Sequence, residues 1–160
     1  MGKIWDFESF ADSPALISDA GATLTYRDLA ALSGETETAV AKSLGQAAES
    51  KPLVMFVCRN TLGAIAGYAA LINRGYPMLP VSAELPAGMR RSLMKTYRPR
   101  LLLLPEELHG EYSTMKEVCR IQDYALLKTN YPESFPVHPQ LGQLITTSGS
   151  TGSAKFVRQS

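Results

Sequence analysis

The sequence predicts an α/β protein in which βαβ units build a mostly parallel sheet, and three features lead there. Leu53–Cys58 and Leu101–Leu104 are unbroken apolar runs, the pattern of strands buried on both faces. Between them Leu62, Ile65, Ala66, Ala69 and Ile72 recur at helical spacing. Strand-like and helix-like segments then alternate along the chain, which favours crossover connections over hairpins alone.

Taken in order, Ala15-Leu16-Ile17 and Thr23-Leu24-Thr25 flank Asp19-Ala20-Gly21, whose turn chemistry predicts a short hairpin. Thr25 with Asp28 three residues later predicts an N-cap. The helix that follows carries Leu29, Leu32, Val40 and Leu44, is weakened in its middle by Gly34, and ends near Gly45. Asn60 is the expected cap of the next helix and Gly75 its stop. Tyr76 to Val81 resumes an extended pattern, and its prolines suit an edge strand or a strand end. Pro86 opens a helix with Leu85, Met89 and Leu93 on one face. Met115, Val118 and Cys119 are expected in a short helix, Tyr131 to Pro139 in a connecting loop, and Leu141 to Thr147 in a strand.

Composition narrows the class. The 160 residues are 45% apolar and 19% charged, enough for one ordinary domain with a core. A formal charge of +1 without basic blocks gives no case for nucleic acid or an anionic membrane. Cys58 and Cys119 are far apart, in no metal-ligand spacing, and Cys58 reads as a small buried hydrophobe. MGKIWDFESF has no apolar core of a secretory signal, and Asp6 departs from the myristoylation pattern. The longest apolar stretch, Ala64 to Ile72, is too short to span a bilayer. A cytoplasmic setting is the expectation. His109 and His138 stand alone, Glu106-Glu107 reads as a solvated helix start, and Tyr124, Tyr131 and Phe135 lack basic interleaving.

The chemistry-bearing stretch is TTSGSTGSAK, Thr146 to Lys155. Gly149 and Gly152 remove bulk and permit positive φ, and successive N–H groups in such a turn form an anion nest. Thr147, Ser148, Ser150 and Thr151 add hydroxyls, and Lys155 adds a mobile charge. Phosphate is the natural ligand, with a polar Gly/Ser hairpin turn as the plain alternative. The spacing is not that of a Walker A loop, because Gly152 is followed by Ser153-Ala154-Lys155-Phe156. Phe156 to Gln159 reads as a second strand, so the motif is predicted to be strand–loop–strand.

TTSGSTGSAK closely resembles the signature TSG(S/T)TGxPK of the adenylate-forming superfamily, which includes acyl-CoA synthetases, nonribosomal peptide synthetase adenylation domains and luciferases. LTYRDLAALSGETETAVAKSL is similar to that family's LTYxEL helix, and LVMFVCRNTLGAIAGYAALINRGYPMLPVSAELP to its LKAGxxYVPLDPxxP region. LMKTYRPRLLLL resembles the helix and strand that follow. Ala154 stands where the family has proline, Phe156 where it commonly has glycine, and Asn73-Arg74-Gly75 replaces Leu-Lys-Ala-Gly.

The resemblance implies a ligase that uses ATP and Mg²⁺ to convert a carboxylic acid to an acyl-adenylate, then passes it to a thiol of coenzyme A or a carrier protein. Thr147, Ser148, Gly149, Ser150, Thr151 and Gly152 would cradle the phosphates, and Lys155 would neutralise the leaving pyrophosphate. It implies no catalytic residue and no metal ligand within residues 1–160. These would form the N-terminal part of an AMP-binding domain, ending just after the phosphate loop and inactive alone. A naturally short, non-catalytic nucleotide- or partner-binding module is the alternative. Strand edges left bare imply self-association, strand swapping or a disordered C-terminus.

Overall fold

The computed structural model describes residues 7–48, 50–131, 137–138, 140–147 and 155–159. The predicted first hairpin forms: β1 (Pro14–Ile17) pairs antiparallel with β2 (Thr23–Thr25) as a separate two-stranded sheet. Gly21 closes its turn at φ +82°, a conformation that glycine adopts without strain. Helix α1 (Tyr26–Leu44) begins in a full capping box. Thr25 Oγ1 accepts from the Asp28 amide at 3.2 Å, and Asp28 Oδ2 accepts from the Thr25 amide at 2.7 Å. The buried face of α1 includes Ser33 and Thr36 as well as Leu29, Val40 and Leu44, because it packs on another helix. There Ser33 Oγ donates to the Ala70 carbonyl.

The main sheet follows: β3 (Val54–Cys58), α2 (Leu62–Asn73), β4 (Met78–Ser82), α3 (Ala87–Tyr97), β5 (Leu101–Pro105), β6 (Lys116–Ile121), β7 (Tyr124–Lys128), β8 (Gln143–Thr147) and β9 (Lys155–Gln159). Its order is β6-β7-β5-β3-β4-β8-β9. The central strands β5, β3, β4 and β8 are parallel, and antiparallel hairpins extend the sheet on both flanks. The α/β class with a mostly parallel central sheet therefore holds. Alternating side chains of β3 feed two cores. Val54 and Phe56 meet Ala66, Ala69 and Leu71 of α2 on one face; Met55 and Val57 meet Met94 of α3 on the other.

Five expectations change. The helix expected around Met115–Cys119 is strand β6, paired with β7 through a turn in which Gln122 takes φ +55°. A turn without glycine or proline hid the hairpin, and the shift in register between Glu117 and Cys119 blurred its alternation. Helix α2 is capped by Thr61, whose Oγ1 accepts from the Ala64 amide, and not by Asn60. Its buried surface is broader than one stripe, taking in Ala64, Gly67 and Ala70, because α1 covers it opposite the sheet; Ile65 is left 46% exposed. In α3 the buried positions are Arg90 and Met94, while Met89 faces solvent.

Strand β4 is internal despite Pro80. The Met78 amide donates to Gly142 O of the chain entering β8, and strand alternation sends Pro80 to that same side. Its missing N–H thus faces β8 where the ladder has stopped, since Met78↔Gln143 is the one registered pair. Gly75, at φ +74°, ends α2 as expected.

Candidate functional site

Helices α2 and α3 follow neighbouring strands but pack on opposite faces, so the chain diverges at the carboxyl ends of β3 and β4. Such a divergence opens a crevice, which is where open α/β sheets bind ligands. An open cleft of about 600 Å³ lies there, lined by Cys58, Arg59, Asn60 and Thr61 from one strand end and Ser82, Ala83 and Glu84 from the other. The amide of Ala83 donates to Cys58 O at 3.2 Å and ties the two walls together at their base.

Each wall is anchored from behind. Arg59 pairs with Glu107 at 2.5 Å across the rim, where both side chains are about half exposed. Behind Thr61 the turn between β6 and β7 presses on the start of α2, and Asp123 Oδ1 accepts from the Gly63 amide at 2.9 Å. A negative charge suits a helix N-terminus, and only glycine fits so close an approach. On the other wall Arg90, 4% exposed, donates from Nη1 to Ala83 O (3.0 Å) and Leu85 O (2.6 Å). Its Nη2 bonds both oxygens of Glu111 at 2.9 and 2.8 Å, and its Nε donates to Tyr112 Oη at 3.2 Å.

Both cysteines are half-buried free thiols. Burial pushes the thiols of Cys58 and Cys119 up to about 11, so both are protonated near neutral pH. The isolated histidines stay out of the cleft: His138 Nδ1 accepts from the Gln140 amide, and His109 lies 3.6 Å from Glu117. Glu106 and Glu107 open a 3-10 turn, as expected, and serve as ion-pair partners of Arg120 and Arg59. Tyr124 is a core residue whose hydroxyl donates to Val57 O at 2.9 Å. Among the described residues there is no group of three or more His, Cys, Asp or Glu side chains that could hold a metal ion. No helix among them is long and apolar enough to cross a membrane.

The phosphate-type motif sits one strand beyond the cleft. β8 runs parallel to β4, so its carboxyl end leaves the sheet on the same edge as Ser82. β9 returns antiparallel, with Thr147 opposite Lys155, so the two strands expected on either side of the loop form. Gln143 Nε2 donates to Tyr68 Oη of α2, and Leu144 is buried against the α3-side core, so the hairpin is fixed from both faces. Thr147 and Lys155 thus frame the loop; Ser148, Gly149, Ser150, Thr151 and Gly152 lie outside the described residues. Arg59, Ser82, Glu84 and Arg90 were not singled out from the sequence. The one available signal was Arg59-Asn60 directly after a fully apolar run, which marks a strand end at a sheet edge.

Comparison with known proteins places this geometry. A family model described as AMP-binding enzyme matches residues 5–160. Phosphinothricin tripeptide synthetase PhsB of Streptomyces viridochromogenes is 31% identical over 154 residues, which is 91% of this chain and 12% of that protein. Among solved structures, ATP-bound MatB of Rhodopseudomonas palustris superposes with a TM-score of 0.66 at 16% identity, over 96% of this chain and 33% of its own. O-succinylbenzoate coenzyme A synthetase MenE of Bacillus subtilis, in complex with AMP, superposes at 0.64 with 18% identity, over 94% of this chain and 39% of its own. The chain therefore spans 12% of the curated relative and about a third of these structures. Identities this low in the structural matches speak for the fold. The family match over nearly the whole length decides membership: this chain belongs to the AMP-binding, adenylate-forming enzymes.

Proposed function

We propose that this chain is the amino-terminal part of an ATP-dependent ligase that activates a carboxylic acid. In that reaction a carboxylate oxygen attacks the α-phosphorus of ATP, the bond to the bridging oxygen breaks, and pyrophosphate leaves. The acyl group of the adenylate then passes to a thiol, on coenzyme A or on a carrier protein, with release of AMP. The observation that carries the reading is the β8–β9 hairpin, which sets Thr147 and Lys155, on either side of the glycine-rich part of TTSGSTGSAK, opposite each other at the carboxyl edge of the parallel strands. Backbone amides and hydroxyls from Thr147 through Gly152 cradle the β- and γ-phosphates, and Lys155 offsets charge on the departing pyrophosphate. This is positioning and electrostatics, with no protein nucleophile. ATP-bound MatB, similar in fold, supports the choice of nucleotide.

The acid-binding groups and the magnesium ligands are assigned to sequence outside these residues, so this piece alone is expected to bind ATP weakly and to form no adenylate. Titration calorimetry with ATP tests the first statement. Lys155→Ala should weaken binding roughly tenfold or more, the loss of about 1.5–3 kcal/mol for a charge-assisted contact. Unchanged affinity would remove Lys155 from the phosphate site. Pyrophosphate exchange by this chain with a panel of carboxylic acids would refute the second.

A further inference from the structure

We propose that Arg90 is a positioning residue: its buried guanidinium sets the shape of the Ser82–Leu85 loop, one wall of the carboxyl-edge cleft, and so the seat of a nucleotide bound there. The nucleotide part rests on the function proposed above; the clamp itself does not. Arg90 projects from the first turns of α3 into a place where its neighbours on that face, Leu93 and Met94, are apolar. An arginine so thoroughly buried loses its hydration and is tolerated only when every donor is met. All five donors of the guanidinium are met here. Two go to the carbonyls of Ala83 and Leu85, two to the carboxylate of Glu111 and one to the hydroxyl of Tyr112.

The direction of these bonds matters more than their number. Ala83 and Leu85 belong to the short connection between β4 and α3, whereas Glu111 and Tyr112 belong to the 3-10 turn Glu106–Tyr112 after β5. Arg90 thus joins two loops that come from strands on either side of β3. A hydrophobic side chain of similar length would fill the same space, and replacing buried ion pairs in this way is often neutral for stability. It would leave the carbonyls of Ala83 and Leu85 without the donors that Arg90 supplies. Besides Arg90, the loop is held by Ala83 N to Cys58 O, Leu85 N to Ser82 O, and Ser82 Oγ accepting from the Glu84 amide. The first of these fixes only the base of the cleft. Ser82 and Glu84, which line it, are both exposed and flank Ala83, whose carbonyl Arg90 holds.

Lysine cannot replace arginine in this clamp, because one ammonium cannot reach both loops in the planar fork that Nε, Nη1 and Nη2 provide. That separates positioning from a mere requirement for charge. The test uses the chain with Arg90→Met, Arg90→Lys and Glu111→Gln, each at a temperature where it is fully folded by circular dichroism. Two quantities are read: amide hydrogen exchange along the chain, and affinity for ATP. Arg90→Met and Arg90→Lys should speed exchange at Ala83, Glu84 and Leu85 by roughly tenfold, the effect of losing a net hydrogen bond, and leave Met55, Val57, Leu102 and Leu103 unchanged. Affinity for ATP should fall about fivefold in both. Glu111→Gln, which keeps Arg90 on the loop carbonyls, should give a smaller effect of the same sign and serves if the Arg90 variants do not fold. Acceleration spread evenly through the core would mean a structural role only and would overturn the clamp. Local acceleration with unaltered ATP affinity would overturn its link to the nucleotide. Failure of the unmodified chain to bind ATP would count against the phosphate-loop reading and its nucleotide link, while the exchange data would still decide the clamp.

Discussion

Replacing Gly63 with alanine should destabilise the protein, while the same replacement at Gly34 should stabilise it. Both glycines lie in helices, where alanine is favoured by up to about 1 kcal/mol, so helix propensity predicts one sign for both. The surroundings differ. A Cβ on Gly34 meets nothing within 4 Å. A Cβ on Gly63 falls 2.3 Å from Asp123 Oδ1 and 2.6 Å from the carbonyl of Ile121, closer than real contacts allow. The second of these is backbone, at the end of β6, and cannot rotate away. Accommodating the methyl group means lifting the β6–β7 turn off α2, which costs about 1–3 kcal/mol for overpacking. It also stretches the Asp123–Gly63 bond, an ionised acceptor on an amide worth about 1.5–3 kcal/mol. Against a propensity gain of at most about 1 kcal/mol, the net loss is about 2–4 kcal/mol. For a chain of this size that corresponds to a fall in Tm of roughly 5–15 °C. Gly34→Ala should raise Tm by about 2–4 °C. Urea unfolding followed by circular dichroism, with equal m-values, reads both. The double change Gly63→Ala with Asp123→Ala separates the two contacts and should not restore stability, because the carbonyl remains. Equal signs for the two glycines, or full rescue by Asp123→Ala, would refute the steric account.

Other outcomes follow from the same geometry. Thr25→Ala removes the acceptor for the Asp28 amide and should cost about 1 kcal/mol, measured by urea unfolding. Thiol burial has a pH signature: unfolded thiols ionise near their ordinary 9.0, native ones near about 11. Between those values the unfolded chain has shed protons that the native chain keeps, so the thiols' contribution holds below pH 9 and stability falls as pH rises through the window. Cys58→Ala with Cys119→Ala should flatten that part of the decline, and in the unmodified protein both thiols should react with a disulfide reagent at pH 8 far more slowly than in urea.

Much of the molecule is written locally. The runs Leu53–Cys58 and Leu101–Leu104 have to be buried on both faces, and so they became the central strands β3 and β5. Thr25 and Asp28 carry a cap in four residues, and the apolar and extended residues on either side of TTSGSTGSAK announce the paired strands β8 and β9. Short-range signals succeed because backbone groups at a helix start or a turn must be satisfied by the nearest side chains.

What only the tertiary structure decided are pairings between distant residues. Nothing near Pro80 says that its missing N–H points toward the end of a ladder with β8, which made an edge strand or a strand end the natural expectation and the middle of an internal strand the fact. The buried surface of α2 widened because a second helix, α1, lies on it, and no periodicity within α2 records that neighbour. Arg90 reads as a surface residue until Glu111, Tyr112 and two loop carbonyls converge on it. Its role depends on electrostatics across a fold, where a charge is tolerated or excluded according to partners that only chain topology brings within reach.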